Sequence, residues 1–333
     1  MKKIIFYIII LILITFFIPI FFSDSFITEQ TIGTTEENNE EKKIVKDYDY
    51  GKYSTIKLLH TATNTVQEIP IEEYLYGVVS AEMPANFEEE ALKAQGIVAR
   101  TYTIYKIIHN SGKHDEADIC DSSLCCQAWI SKEDRFIKWE EEQREINWNK
   151  IVDCVNSTVG KIITYNGEPI NAFFHSNSGG TTEIPINVWG GSGYPYLQSV
   201  TTSGEEEYSQ YSSEVKLTKE DLINKIKETH SNIEINFEND NAIQITEYTD
   251  SGRVRTVKFG NINLSGVETR KIFGLRSANF SIEQTNNAIV FKVLGYGHGV
   301  GMSQTGADSL AKNGKSWEEI VKHFYTGVEI TEM

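Results

Sequence analysis

Apolar positions open this 333-residue chain as a nearly unbroken run over residues 4–22, interrupted only by Thr15 and Pro19. That length is enough to cross a bilayer as one helix. Lys2 and Lys3 precede the run, and Asp24, Glu29, Glu36 and Glu37 follow it. The positive-inside rule then leaves residues 1–3 in the cytoplasm and the remainder outside. No small-residue cleavage site follows, so the run reads as an uncleaved transmembrane anchor and not as a signal peptide. Residues 23–51 are rich in Glu, Asn, Thr and Lys and poor in large apolar side chains, the composition of a disordered linker.

From residue 52 to about 330 the pattern is that of a folded extracytoplasmic region. Ile56 and Leu58 alternate in a strand over 54–60, and a turn at Thr63-Asn64 leads to a second strand over 66–69. A short helical pattern over 70–79 must stop before Pro84, which lacks an N–H and pushes Met83 out of helical geometry. The next helix opens with Asn86 as cap and Glu89 three residues on, and carries Ala91, Gln95, Val98, Tyr102 and Tyr105 on one face up to Asn110-Ser111-Gly112. A helix over 147–159 stops at Gly160, and strands over 162–165 and 169–175 flank the hairpin signal Asn166-Gly167. Further on come a helix over 218–228, strands over 242–248 and 253–259, a helix capped by Ser265, a buried strand over 289–293 and helices over 303–312 and 316–325. The predicted fold class is α+β: mixed helices and antiparallel strands around a cleft, with an inserted smaller α/β subdomain at about 214–278.

A formal net charge of −16 argues against nucleic acid and anionic lipid surfaces as partners and favours a neutral or mixed-charge substrate. Four cysteines outside a membrane ordinarily mean two disulfides. Here Cys120, Cys125 and Cys126 crowd together, while Cys154 stands alone in a helical pattern and reads as a buried thiol. With His114 the first three offer the inventory of a tetrahedral zinc site, though a disulfide from Cys120 to Cys125 or Cys126 fits the spacing equally.

Glu82 stands at the helix break ahead of Pro84, where a carboxylate can face a cleft instead of a helix flank. An ordinary surface glutamate reads the same way in an acidic protein. Gln95 and Arg100 on the following helix could reach the same cleft, although a solvated arginine is as good a reading. The strand ending Phe173-Phe174-His175-Ser176-Asn177-Ser178-Gly179-Gly180 hands over to small polar residues, and Tyr194 and Tyr196 follow a glycine-rich run that begins at Trp189. These aromatics could stack on sugar rings or simply pack. In Gly295-Tyr296-Gly297-His298-Gly299-Val300-Gly301-Met302-Ser303-Gln304 the glycines permit close backbone approach, and the Lys-Ser/Thr ending of a phosphate loop is missing. His175 and His298 read as a general base, a metal pair or hydrogen-bonded loop residues.

Taken in order, Gly77-Val78-Val79-Ser80-Ala81-Glu82-Met83-Pro84 and the two later motifs resemble the stage II sporulation protein D family of lytic transglycosylases, over nearly the whole ectodomain. The resemblance implies a glycan-binding cleft and an enzyme that cleaves peptidoglycan glycan strands during engulfment, in a membrane complex with the sporulation stage II proteins M and P, the latter an amidase and endopeptidase. It implies Glu82 as catalytic acid and a zinc-bearing loop at His114, Cys120 and Cys126, with Cys125 where a histidine is expected. Substrate contacts are then expected from Gln95, Arg100, His175, Ser176, Ser178, Tyr194, Tyr196, His298, Ser303 and Gln304. Asn177, in place of a small hydroxyl residue, and Thr305, in place of an aromatic, depart from the family pattern. No second carboxylate is paired with Glu82 by any motif, which suits transglycosylation better than two-carboxylate hydrolysis. The competing reading is a non-catalytic glycan-binding enhancer of a cell-wall amidase, and a zinc hydrolase is third.

Overall fold

The computed structural model describes residues 50–333 apart from 110–112, 115 and 240. The expected anchor at 4–22 and nearly all of the expected linker lie outside the described residues. Among the described residues no helix is long and apolar enough to cross a membrane. The fold is α+β, with helices gathered around one long central helix and several small, mainly antiparallel sheets.

That central helix is Glu89–His109. Ala91, Ala94, Gly96 and Ala99 keep its flanks narrow, so the helices Ile71–Glu82, Arg144–Asn156, Gln304–Lys312 and Trp317–Phe324 all pack against it. Burial on every side explains why its apolar stripe is weak in the sequence. The start differs from the expected Asn86 cap. The helix begins at Glu89, and the Glu88 N–H donates to Asp308 Oδ1 at 2.6 Å, an acceptor 220 positions away. Asp308 also accepts from Tyr208 Oη at 2.6 Å and pairs with Lys312. A cap supplied from another helix leaves no short-range signature.

The hairpin Thr55–His60 and Thr65–Pro70 forms as expected, with Asn64 at φ 54° in its turn. Ile119–Cys120 joins it in parallel beside Leu58 and Leu59, which pins the cysteine loop to the sheet. Asn166 and Gly167 both take positive φ between Lys161–Tyr165 and Glu168–Pro169, the backbone that a two-residue hairpin requires. The expected continuous strand to His175 is broken after Pro169. Phe174–His175 instead pairs in parallel with Met302–Ser303, which lays the two late motifs side by side.

A second buried apolar cluster runs from Leu222 to Val293, including Val257, Phe259, Phe273 and Phe291. It lies between the sheet of Ser212–Leu217, Asn279–Gln284 and Ile289–Leu294, the sheet of Ile243–Tyr248, Val254–Phe259 and Ile262–Ser265, and the helices Lys219–Lys227 and Gly266–Phe273. Thr218 and Ser265 cap those helices through their hydroxyls. The strand Ile289–Leu294 packs in this cluster, which therefore spans more of the chain than 214–278. Buried polar contacts tie it to the motif loops: Glu183 accepts from Thr249 and Ser251 hydroxyls, and Arg253 donates to the carbonyls of Thr181 and Ser178. Gly299, at φ 84°, lies flat against the Arg253 guanidinium, where a Cβ would collide.

Candidate functional site

The helix Ile71–Glu82 runs three residues past its expected end, and Glu82 is its last residue. Met83 turns extended, with its N–H returning to the Val79 carbonyl, and Pro84 prevents another turn. Glu82 therefore sits at the negative end of a helix dipole, an unfavourable place for a carboxylate. Its Oε1 accepts from the Ala128 N–H at 2.7 Å and its Oε2 from Gln304 Nε2 at 3.4 Å. Burial pushes its pKa up, and those two hydrogen bonds offset the rise only in part.

The carboxyl opens into a pocket of about 580 Å³. Tyr102, Phe173, Phe174, His175, Ser176 and His298 form much of its wall, with Gln304 from the start of its helix and Cys126 and Leu124 from the cysteine loop. Arg270, Tyr296 and Gly297 complete it. Among the described lining residues Glu82 is the one carboxylate.

His175 Nδ1 meets the Val300 carbonyl at 3.1 Å, which puts the proton on Nδ1 and leaves Nε2 as an acceptor. Burial, reinforced by Arg253, lowers its pKa to about 4. His298 Nδ1 accepts from the Val300 N–H at 3.0 Å, and burial followed by the neighbouring His175 holds it well below the usual imidazole range. The two rings lie 5.6 Å apart and both are neutral at pH 7.

At the edge of the pocket, which Cys126 lines, the donor atoms of His114, Cys120, Cys125 and Cys126 lie within 4.8 Å of one another. Cys125 and Cys126 sulfurs are 3.8 Å apart and stand 3.6 and 3.5 Å from His114 Nε2. Zinc bonds of about 2.3 Å to sulfur and about 2.0–2.1 Å to nitrogen make tetrahedral edges of about 3.8 and 3.5–3.6 Å. The residues therefore fit a closed four-ligand zinc site. The disulfide alternative is not formed, since all four cysteines are free. Two residues past Cys126 comes the Ala128 N–H that grips Glu82. Gln127 between them is buried and donates to Tyr74 Oη and Thr103 Oγ1.

Several expected substrate contacts lie elsewhere. Arg100 is fully buried, forks onto both Glu72 oxygens, and reaches Thr158 and the carbonyls of Val155 and Lys161, so it fastens three elements and is not among the lining residues of the Glu82 pocket. Ser178 and Ser303 are buried as donors to Glu205. Gln95 stands behind Gln304, accepting from its Nε2 at 3.4 Å. Tyr196 is buried with its oxygen accepting from the Asn171 N–H, and Tyr194 is half-buried beside Asn171 and Tyr105. Glu82, His175, Ser176, His298 and Gln304 are the expected residues that the pocket brings together.

Glu205 and Arg270 were not singled out by sequence. Glu205 is fully buried and accepts from the Ser178, Thr202, Ser303 and Thr305 hydroxyls and from the N–H groups of Ser178 and Gly180. It lies in an acidic surface-like stretch that carries no local sign of burial. Arg270 occupies an ordinary amphipathic helix of the second cluster, and only the tertiary fold brings it into the lining of the pocket. The departures Asn177 and Thr305 are partners: Asn177 Nδ2 donates to Thr305 Oγ1 at 2.8 Å. Replacing either by alanine alone is expected to cost about as much as replacing both, a coupling that a double-mutant cycle in urea measures.

A family model described as stage II sporulation protein matches residues 60–165. The chain is 36% identical over 280 residues to stage II sporulation protein D of Bacillus subtilis, covering 84% of this chain and 79% of that protein. The counterpart from Bacillus amyloliquefaciens is 35% identical over the same coverage. The amidase enhancer of Bacillus subtilis is 29% identical over 77% of this chain and 40% of its own length. With identity of this extent over most of its length, the chain belongs to the stage II sporulation protein D family.

Proposed function

We propose that this protein is a peptidoglycan lytic transglycosylase that cleaves the bond between N-acetylmuramic acid and N-acetylglucosamine, with Glu82 as acid and then base. The observation that carries the reading is one partly buried carboxyl, held toward its protonated form, in a pocket whose described lining has no second carboxylate. Glu82 gives its proton to the bridging oxygen as the bond from C1 to that oxygen breaks. The resulting carboxylate then takes the proton of the muramoyl 6-hydroxyl as O6 closes on C1, giving the 1,6-anhydro sugar and restoring the acid without consuming water. Burial lowers the pKa of His175 and His298, which favours Glu82 over either imidazole as the proton donor. Ala128 and Gln304 hold the carboxyl in place through its two oxygens. The test is release of anhydro-muropeptides from purified glycan strands by the isolated ectodomain.

The family relation to an amidase enhancer favours a second reading, glycan binding that stimulates an amidase without cleavage. Release of no fragments by the ectodomain alone, with stimulation of an added amidase, would select it. On either reading the proposed setting is the outer face of the membrane, tethered through residues 4–22 and assembled with the sporulation stage II proteins M and P.

We assign zinc to His114, Cys120, Cys125 and Cys126 as a brace for the loop that carries Ala128. Four protein ligands leave no open position, so the ion would supply rigidity and no reaction step. Native mass spectrometry is expected to find one zinc per chain. Chelation, or Cys126→Ser, should lower the melting temperature and reduce activity together, whereas activity lost with melting unchanged would contradict a bracing role.

A further inference from the structure

Trp189 ends the short helix Pro185–Trp189 and is 51% exposed, an uncommon degree for the largest side chain. Its ring is not loose. It lies 4.6 Å from Phe173 at a shallow 36° and 5.1 Å from His298, and both of those residues line the Glu82 pocket. The indole thus extends the pocket wall outward as a firm aromatic surface. After it, Gly190, Gly191 and Gly193 take positive φ with nothing within 4 Å of where a Cβ would stand, so the ground beside the ring stays open. The support of Phe173 includes the Lys106 ammonium, 5.8 Å from its centroid and 5.0 Å from that of Tyr102. An exposed indole with open ground beside it suits a pyranose, whose C–H face is apolar.

We propose that Trp189 is the stacking platform of an additional sugar subsite, continuous with the Glu82 pocket, that takes a neutral N-acetylated pyranose of the same strand. This rests on the glycan-cleaving reading. Phe173 and His298 fix the platform, and longer strands gain affinity that short fragments lack.

The test uses the ectodomain carrying Glu82→Gln, so that nothing is turned over, titrated with the β-1,4-linked N-acetylglucosamine hexamer by calorimetry and indole fluorescence. Trp189→Ala is expected to weaken binding roughly tenfold and to remove most of the fluorescence change, with Trp189→Phe in between. Tyr248→Ala, at another exposed aromatic at the end of the strand Ile243–Tyr248, should change nothing. In the active protein Trp189→Ala should raise KM for long strands with kcat preserved. Hexamer binding unaltered by Trp189→Ala would overturn the subsite and leave the glycan reading standing. No binding by any variant would overturn both.

Discussion

Glu82→Gln is expected to reduce formation of 1,6-anhydro product roughly 10²–10⁴-fold while leaving the fold at least as stable as the parent at pH 7. The two effects have one cause. Burial at a helix C-terminus disfavours the ionised carboxylate, so the native state binds the Glu82 proton more tightly than the unfolded chain does. Its contribution to stability is complete below the ordinary glutamate range and is lost as pH rises through the raised native value. A neutral amide carries no such loss. The melting temperature of the variant should therefore gain on the parent as pH goes from 4 to 7.5, and parental activity should fall as pH rises through the same titration. Product formation that survives in Glu82→Gln would remove Glu82 from the chemistry.

Glu205 gives the opposite profile. Burial alone would push its carboxyl up, but hydrogen bonds from Ser178, Ser303 and Thr202 outweigh burial and hold it at about 2. The stabilisation is present above the ordinary carboxylate value of 4.5 and disappears as pH falls from there toward 2. The span corresponds to roughly 3 kcal/mol. Glu205→Ala should cost at least as much near pH 7, because it leaves several buried donors without an acceptor. Urea unfolding at pH 7 and pH 3 checks this, with a much smaller difference between parent and variant at the lower pH. An equal difference at both would show that the loss is packing and not the charge. Since Ser303 caps the helix that begins at Gln304, activity should fall along with stability.

What could be read from the chain was what local chemistry encodes. Pro84 announces the break behind Glu82, Asn166-Gly167 announces its hairpin, and the glycines around His298 announce a close backbone approach. The cysteine spacing left zinc and disulfide level, and only the three-dimensional arrangement of the four side chains gives edges that suit the proposed zinc site. The misses share a different origin. Asn86 looked like a cap because the true acceptor, Asp308, is far along the chain. Arg100 looked available because its partner Glu72 belongs to another helix. Serines in a glycine-rich loop look like ligand contacts until a buried Glu205 claims them. The Ala128 N–H has no side chain to betray it at all.

The hydrogen bond from Gln304 to Glu82 joins residues 222 positions apart, and the Asp308 cap on the central helix spans almost as far. Contacts of such separation form late, because the loop between them must close before they return any energy. A nascent chain that has released everything up to the second apolar cluster would still hold Glu82 without its amide partner and the central helix without its cap. Cleavage competence should then arrive abruptly with the final thirty or so residues, so that an unfinished or C-terminally clipped molecule is silent toward the wall instead of partially active.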